Sequence, residues 1–215
     1  MFDRIRLAKT PDFPLGDAHA WAGLQVHPLV SLDGKGSMAT TLRAAYSDTG
    51  LYFRFDCRDG MLATHMTENF DNLYEGDVVE LFLQPNRAMP LYFEYELNPL
   101  GAELPLLVAN NRPDYHGWLP FQYRGERKTR THVAVQGGKQ ACGAPCTGWR
   151  AECFLPFALL AGLSGIPPKA GDIWRGNAFR IDFDRDTLGE RYGLFPDCGV
   201  EFHDYEKFSD LIFEV

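Results

Sequence analysis

The segment "YEGDVVELFLQP" (residues 74–85) is the clearest indication of the fold in this sequence. Its residues alternate between two faces, as in a β-strand, and β-branched and aromatic types dominate it. One face carries Val79, Leu81 and Leu83, which are typical of a protein core. A carboxylate, Glu80, stands at the centre of the opposite face, and folding alone does not require an acid there.

The same alternation recurs in short segments that are separated by Gly, Pro, Asn and Asp turns. Only residues 157–163 have a helical pattern, which stops before Gly165 and Pro167. These features predict an all-β protein: an antiparallel β-sandwich of two sheets, jelly-roll or immunoglobulin-like, with one short helix. The other predicted strands cover residues 40–47, 51–58, 91–101, 131–136, 149–156, 174–186 and 210–215.

Several strands combine an apolar face with a face of charged and hydroxyl groups, which predicts a sheet packed on one side only. The residues predicted to share its polar face are Glu80, Glu94, Glu96, Asn98, Arg54 and Arg180. Carboxylates on adjacent strands repel each other, so cations or a ligand must lie between them. Such a set of acceptors and donors can hold sugar hydroxyls. The alternative is a solvated face with weak ion pairs.

Length and composition restrict the class of protein. The chain has 215 residues, 45% of them hydrophobic, which suits a single domain over residues 1–215, with 1–32 as an irregular lead-in. The net charge of -8, without basic runs, argues against nucleic acid and anionic membranes as partners. No apolar run approaches the roughly 20 residues of a membrane span. No secretory signal opens the sequence, so we expect a cytoplasmic protein as written; an extracellular location would require a trimmed leader.

Six segments carry a further pattern: "LYFRFDCRD" (51–59), "YEGDVVELFLQP" (74–85), "YFEYELNPLG" (92–101), "WRAECFLPFALL" (149–160), "WRGNAFRID" (174–182) and "FHDYEKFSDLIF" (202–213). Their order resembles that of family-9 carbohydrate-binding modules and their DOMON-like relatives. The resemblance runs from about residue 33 to the end of the chain. It implies a β-sandwich, with structural calcium in some members.

The resemblance also implies positions for ligand-binding residues. Family members have an aromatic, usually Trp, six residues before the binding acid, and here Tyr74 precedes Glu80. A second stacking Trp precedes the terminal motif, where Phe195 is the closest aromatic, and Glu96 stands where the best-known members have a binding Arg. The implied function is non-catalytic binding of an oligo- or polysaccharide. Trp118, in a loop, is a further candidate for stacking on a sugar, or else covers the core.

Two other functions fit parts of the pattern. Residues two apart on one strand, such as Glu94 and Glu96, lie about 6.5 to 7 Å from each other, within the range that a glycoside hydrolase needs. The runner-up to binding is therefore a hydrolase, or another sugar-processing enzyme, that uses Glu80, Glu94 and Glu96. A haem-binding module would need Met and His ligands, for which Met66 and its neighbour His65 are the candidates.

Calcium is a possible cofactor, although the sequence makes none certain. Asp182, Asp184 and Asp186 begin like a calcium loop, but Thr187 stands where the loop needs Gly, and no Glu follows at the twelfth position. Residues 69–77 are also rich in oxygen ligands. The alternative for both stretches is an ordinary turn, so no metal ligand is identified.

Overall fold

The computed structural model describes residues 4–183 and 189–214, and Asp184 and Asp186 of the calcium-like stretch lie outside them. The described residues form thirteen strands in two layers, which confirms the predicted all-β sandwich. The strands are β1 (Arg4–Lys9), β2 (His27–Ser31), β3 (Thr40–Tyr46), β4 (Gly50–Arg58), β5 (Val78–Gln84), β6 (Leu91–Leu97), β7 (Glu103–Asn110), β8 (Tyr115–Trp118), β9 (Arg130–Gln136), β10 (Gly148–Pro156), β11 (Ile173–Asp182), β12 (Glu190–Gly193) and β13 (Ser209–Phe213).

The first sheet has the order β8-β7-β6-β5-β11-β12, and β13 pairs with the start of β11. The second sheet has the order β9-β10-β4-β3-β2. Two short strands join the sheets: β2 also pairs with β12, and β1 pairs with both β13 and β3. Both pairings of β1 are parallel, so the sandwich is not antiparallel throughout, in contrast to the prediction.

The main core lies between the two sheets. Phe53 and Phe55 of β4 share one buried cluster with Leu81 of β5 and Tyr95 of β6. The alternation predicted for these three strands is therefore correct. Full burial of one such side chain contributes about 1.5–3 kcal/mol, so this cluster is the main source of stability.

Strand β11 has the opposite phase from the one that its sequence predicts. The sequence places Phe179 and Ile181 between the sheets, whereas the structure points Arg180 inward. Arg180 is the register partner of Val79, a core residue, and Phe179 is the partner of Glu80. Phe179 and Ile181 instead belong to a second buried cluster, on the outer side of the first sheet.

The outer face of the first sheet is covered, so the prediction of a sheet packed on one side only is wrong. Two loops bring apolar side chains onto it: Met66 and Leu73 from one, Phe202 and Phe208 from the other. Phe202 lies flat against Phe179, with ring centroids 4.0 Å apart and ring planes at 7°. The polar residues of this face are thus enclosed by apolar neighbours.

The segment 1–32 is not an irregular lead-in, because it contributes β1 and β2 to the sheets. Between these strands the chain covers the outer face of the second sheet. Phe13 stacks on Tyr52 at 4.0 Å, and Trp21 is fully buried. The backbone N–H of Gly16 donates to Glu152 over 2.6 Å.

The helix predicted at 157–163 is a series of turns. The backbone N–H groups of Leu159 and Leu160 bond to carbonyls three residues back, and Gly162 has a φ of +107°. A segment this short is also too short to nucleate an isolated helix. The helical elements among the described residues are five short 3-10 helices: Ala18–Trp21, Leu73–Glu75, Gly125–Arg127, Pro196–Cys198 and Tyr205–Lys207. None of these described helices has the length and apolar character that crossing a membrane would require.

Candidate functional site

Three carboxylates form a cluster at the centre of the first sheet's outer face. Glu80 of β5 and Glu96 of β6 are register partners, which confirms that these two strands pair. Glu94 lies on the same face of β6, opposite Phe82 of β5. The three side chains are almost fully buried, with exposed fractions of 3% for Glu80, 4% for Glu94 and 1% for Glu96.

Burial and mutual repulsion favour the protonated forms of these acids. Loss of solvation raises the pKa of Glu94 to about 8. It also raises the pKa of Glu80 and of Glu96 well above the usual range, and nearby carboxylates raise both further. The guanidinium of Arg191 opposes the rise in pKa at Glu80 without reversing it. The cluster as a whole therefore retains protons at neutral pH unless a cation neutralises it.

Two oxygens of the cluster are unsatisfied. Oε2 of Glu94 and Oε2 of Glu96 are buried and have no hydrogen-bond partner among residues 4–183 and 189–214. Glu96 does accept a hydrogen bond from the backbone N–H of Tyr74, and the carboxyl groups of Glu94 and Glu96 share a hydrogen bond with each other. A buried polar atom without a partner costs about 1–3 kcal/mol, and native proteins keep few of them. A ligand that donates hydrogen bonds here would recover that cost.

A cavity of about 220 Å³ adjoins two of the acids. Two tyrosines at this cavity are half exposed, Tyr74 to 47% and Tyr115 to 52%. The residues that line it are Tyr74, Glu94, Glu96, Leu106, Val108, Tyr115, Gly117 and His203. The cavity thus combines buried acids with exposed aromatic rings.

The 3-10 helix Leu73–Glu75 positions Tyr74 next to the cavity. Leu73 is fully buried in the outer apolar cluster, so it anchors the helix to the sheet. At the start of β5 the carboxylate of Asp77 accepts from the backbone N–H of Ala63 over 2.5 Å, which ties down the loop before the helix. Tyr74 is therefore exposed on a fixed support.

Tyr115 is positioned by a chain of polar and stacking contacts. Its ring stacks on His203, with centroids 4.0 Å apart and planes at 18°. Nδ1 of His203 lies 2.7 Å from the hydroxyl of Tyr92, and that hydroxyl also accepts from Asn110 over 3.2 Å. Burial lowers the pKa of His203, so the ring is neutral at pH 7.

The two arginines predicted on the polar face lie elsewhere. Arg54 belongs to the second sheet, where its Nε and Nη2 donate to Asp56 over 2.9 and 3.0 Å. Arg180 is fully buried on the inner face of β11, with Nη2 3.0 Å from Asp59 and 3.0 Å from Asp182. Their prediction as ligand-binding residues beside the carboxylate cluster is wrong, because each neutralises other acids.

The predicted aromatic residues Phe195 and Trp118 also lie away from the cavity. Phe195 is 1% exposed in the core, and its backbone N–H donates to Asn177, so its prediction as a stacking residue is wrong. Trp118 is 50% exposed, but it follows Gly117, which lines the cavity, and therefore points to the opposite face of β8. With Phe121 it lines a separate apolar cleft of about 410 Å³.

Asn98 is fully buried and has a structural role instead of the predicted ligand contact. Its amide group donates to the carbonyl of Met66 over 2.8 Å, and its Oδ1 accepts from the backbone N–H groups of Leu100 and Ala102. It thereby ties the turn after β6 to the loop that leads to Tyr74. Of the predicted residues, Tyr74 and Glu96 line the cavity, whereas Glu80 is the register partner of Glu96 and does not line it.

A second group of acids lies between the sheets. Carboxylate oxygens of Asp59, Asp77 and Asp182 lie within 4.8 Å of one another, and two of these residues come from the stretches that suggest calcium. Burial raises the pKa of Asp59 to about 7 and of Asp77 to about 6. The guanidinium of Arg180 already acts as the cation for Asp59 and Asp182, so this group does not fit a divalent ion.

The haem alternative is not supported by the geometry around Met66. Met66 is buried in the outer apolar cluster, with its sulfur 3.9 Å from the hydroxyl of Thr64, whereas His65 is exposed. One side chain is therefore enclosed and the other faces solvent, so the two do not converge on one ligand position.

The sequence does not predict Tyr115 as a cavity residue, because β7 and β8 do not have a clear strand pattern. Strand β7, "ELPLLVAN", is apolar on both faces and contains Pro105. The available signal is the "NNRPD" turn at 110–114, after which Tyr115 and Gly117 alternate with His116 and Trp118.

Known structures match this chain over nearly its whole length, whereas no family model and no curated protein matches it. A "putative carbohydrate-binding protein" from Bacteroides uniformis is 17% identical with a TM-score of 0.77, covering 98% of this chain and 99% of that one. A family-9 carbohydrate-binding module from Caldicellulosiruptor kristjanssonii, solved with cellotriose, is 14% identical with a TM-score of 0.69, covering 98% and 93%. Another structure of a family-9 module from that organism, solved with glucose, is 14% identical with a TM-score of 0.66, covering 98% and 95%.

The chain has the fold of family-9 carbohydrate-binding modules. The fold that the sequence resemblance implies is thus confirmed. Identities of 14–17% establish the fold alone, and a fold does not determine a ligand. The argument for function therefore rests on the cavity.

Proposed function

We propose that this protein binds an oligo- or polysaccharide, without transforming it, at the cavity lined by Tyr74 and Tyr115. The observation that carries the proposal is that two half-exposed tyrosines and two buried carboxylates with unpaired oxygens line one cavity. Aromatic rings pack against the apolar face of a sugar, and carboxylates accept hydrogen bonds from its hydroxyl groups. The apolar face of a sugar ring would pack on a tyrosine here, and its hydroxyl groups would donate to the carboxylates.

The size of the cavity suits one end of a longer ligand. Its volume of about 220 Å³ is smaller than that of a typical closed ligand pocket. An adjoining cavity of about 460 Å³ shares Tyr115 and His203 with it and extends past Asn110. A chain of sugar units can follow this path along the edge of the sheet.

The ligands of the structurally similar modules support the same class of ligand. Structures of family-9 modules from one organism were solved with cellotriose and with glucose. Because the fold is shared, the proposal extends saccharide binding to this chain as a class. The proposal does not name the particular sugar that this chain binds.

Catalysis by the same acids is the second candidate, because a buried Glu94 with a raised pKa suits a general acid. Glycoside hydrolysis also needs a second carboxylate that is ionised at the same pH. Loss of solvation raises the pKa of all three acids, which favours binding over hydrolysis. Chromatography after incubation with oligosaccharides should show intact sugars. Shorter products that disappear in Glu94→Gln would establish a hydrolase.

A glycan array followed by calorimetry tests the proposal. Tyr74→Ala should weaken binding of an array ligand about tenfold or more, which corresponds to about 1.4 kcal/mol. Trp118→Ala is the matched control, since Trp118 is exposed to 50% and Tyr74 to 47%, but Trp118 does not line the cavity. The control should bind as wild type. A folded protein without any array ligand, or a loss of affinity in Trp118→Ala alone, would contradict the proposed site.

A further inference from the structure

The cavity beside Glu94 and Glu96 is acidic and lacks a cation of its own. Among the described residues, no Lys or Arg lines it. The guanidinium of Arg191 acts on Glu80, one strand further away. Arg112 in the adjoining cavity pairs with two acids of its own.

A neutral sugar would supply hydrogen bonds to this site but no charge. Hydroxyl groups donate hydrogen bonds but bring no charge to offset buried acids. Ionised carboxylates that are buried need a cation as partner. An ammonium group offers three donors and a positive charge, which matches the two unpaired oxygens, Oε2 of Glu94 and Oε2 of Glu96.

The aromatic residues add to this preference. A cation near the face of an aromatic ring is attracted by the ring electrons, and the attraction grows when water is excluded. Tyr74 and Tyr115 line the same small cavity as the two acids. An ammonium group bound to the carboxylates would therefore lie close to the tyrosine rings.

We propose that the saccharide bound here carries a free amino group, so that its ammonium group pairs with Glu94 and Glu96. This inference rests on the proposed function, because it names the class of saccharide for the same cavity. A neutral glycan remains compatible with the proposed function but not with this inference.

The groups around the two acids do not supply the missing charge. Burial lowers the pKa of His203, which keeps the ring neutral at pH 7, and burial raises the pKa of Tyr74 and Tyr115, which keeps both phenols neutral. The ionisable groups in this surrounding are Glu75, Glu80, Tyr74, Tyr92, Tyr115, Arg191, Glu201 and His203. Of this set only Arg191 is cationic at neutral pH, and it acts on Glu80.

Three β-1,4-linked oligosaccharides that differ at C2 separate charge from shape. They are a chitosan oligomer with free amines, a chitin oligomer with acetylated amines and a cello-oligomer with hydroxyls. Calorimetry at about pH 5, where the amines on C2 of the sugar are protonated although they are weaker bases than a lysine, should show the chitosan oligomer binding at least about tenfold more tightly than the cello-oligomer. Binding should also release protons, because the acids must ionise to pair with ammonium. Proton release appears as a binding heat that changes with the ionisation enthalpy of the buffer.

Two variants test whether these carboxylates cause the preference. Glu94→Gln and Glu96→Gln each keep the side-chain shape and remove one charge, so each should reduce the preference for the amine about tenfold and diminish the proton release. Glu75→Gln is the control, because it removes an exposed carboxylate next to Tyr74. It should keep the preference of the wild type.

Equal or tighter binding of the chitin or cello-oligomer would overturn this inference and leave the proposed function in place. An amine preference that survives both glutamine variants would also overturn it. A chitosan oligomer that does not bind at all would likewise overturn this inference. In that case the glycan array decides separately whether the protein binds a neutral saccharide.

Discussion

Glu80 of β5 and Glu96 of β6 face each other across two paired strands, and both are almost fully buried. Like charges at such cross-strand positions destabilise a sheet. Their loss of solvation adds a further cost. A fold that keeps this pair in its sheet gives up stability at a place where a cavity opens beside Glu96, which is typical of functional sites.

The pH dependence of stability should report this cost. The pKa of Glu94 is about 8 in the folded protein, against 4.5 for a free Glu. Between these values the folded state binds more protons than the unfolded state, so its stability falls as pH rises. Glu94→Gln removes this loss. The free energy of unfolding of the variant, relative to that of the wild type, should therefore rise by more than about 1 kcal/mol between about pH 5 and 8. Urea unfolding measures this difference.

The control for this measurement is Glu75→Gln, in which the lost carboxylate is exposed. The difference in unfolding free energy between Glu75→Gln and wild type should stay constant across the same pH range. A stability difference between Glu94→Gln and wild type that does not grow with pH would show that Glu94 is ionised in the folded protein.

Arg180 should be essential for stability and not for binding. It is fully buried and lies 3.0 Å from two aspartates, so Arg180→Met would leave buried acids unpaired at a cost of about 3–5 kcal/mol. Arg87→Met is the matched control: its ion pair with Asp210 measures 2.9 Å but is exposed, and should contribute less than about 1 kcal/mol. Urea unfolding compares the two. A small loss in Arg180→Met, or a loss of ligand affinity in its folded fraction, would argue against the inner position of this residue.

Tyr115 and Phe195 should respond differently to truncation. Phe195→Ala removes a core ring and should cost about 3–5 kcal/mol of unfolding free energy. Tyr115→Ala removes a half-exposed ring and should mainly weaken saccharide binding, by about tenfold. Thermal melts and calorimetry on both variants separate the effects. Retained affinity in Tyr115→Ala would remove Tyr115 from the site.

The sequence predicts those parts of the fold that depend on local alternation. The pairing of β5 with β6 and the inward faces of β4, β5 and β6 are read correctly, because each strand has one clearly apolar side. Tyr74 and its spacing from Glu80 also point to the region of the cavity, although only through resemblance to a family.

The remaining features depend on partners that are distant in the chain. Strand β11 presents Phe179 outward because Phe202 covers it, and Arg180 inward because Asp59, 121 residues away, neutralises it. Alternation within one strand cannot show that both of its faces are covered. For the same reason the sequence does not show that Tyr115, from a short strand, shares a cavity with Tyr74.

A crystal structure of the protein with a bound oligosaccharide tests the central claim most directly. The account predicts a sugar unit against Tyr74, with its hydrogen-bond donors directed at Glu94 and Glu96 and with Tyr115 at its side. A sugar seated in the apolar cleft of Trp118, on the opposite face of β8, would contradict it.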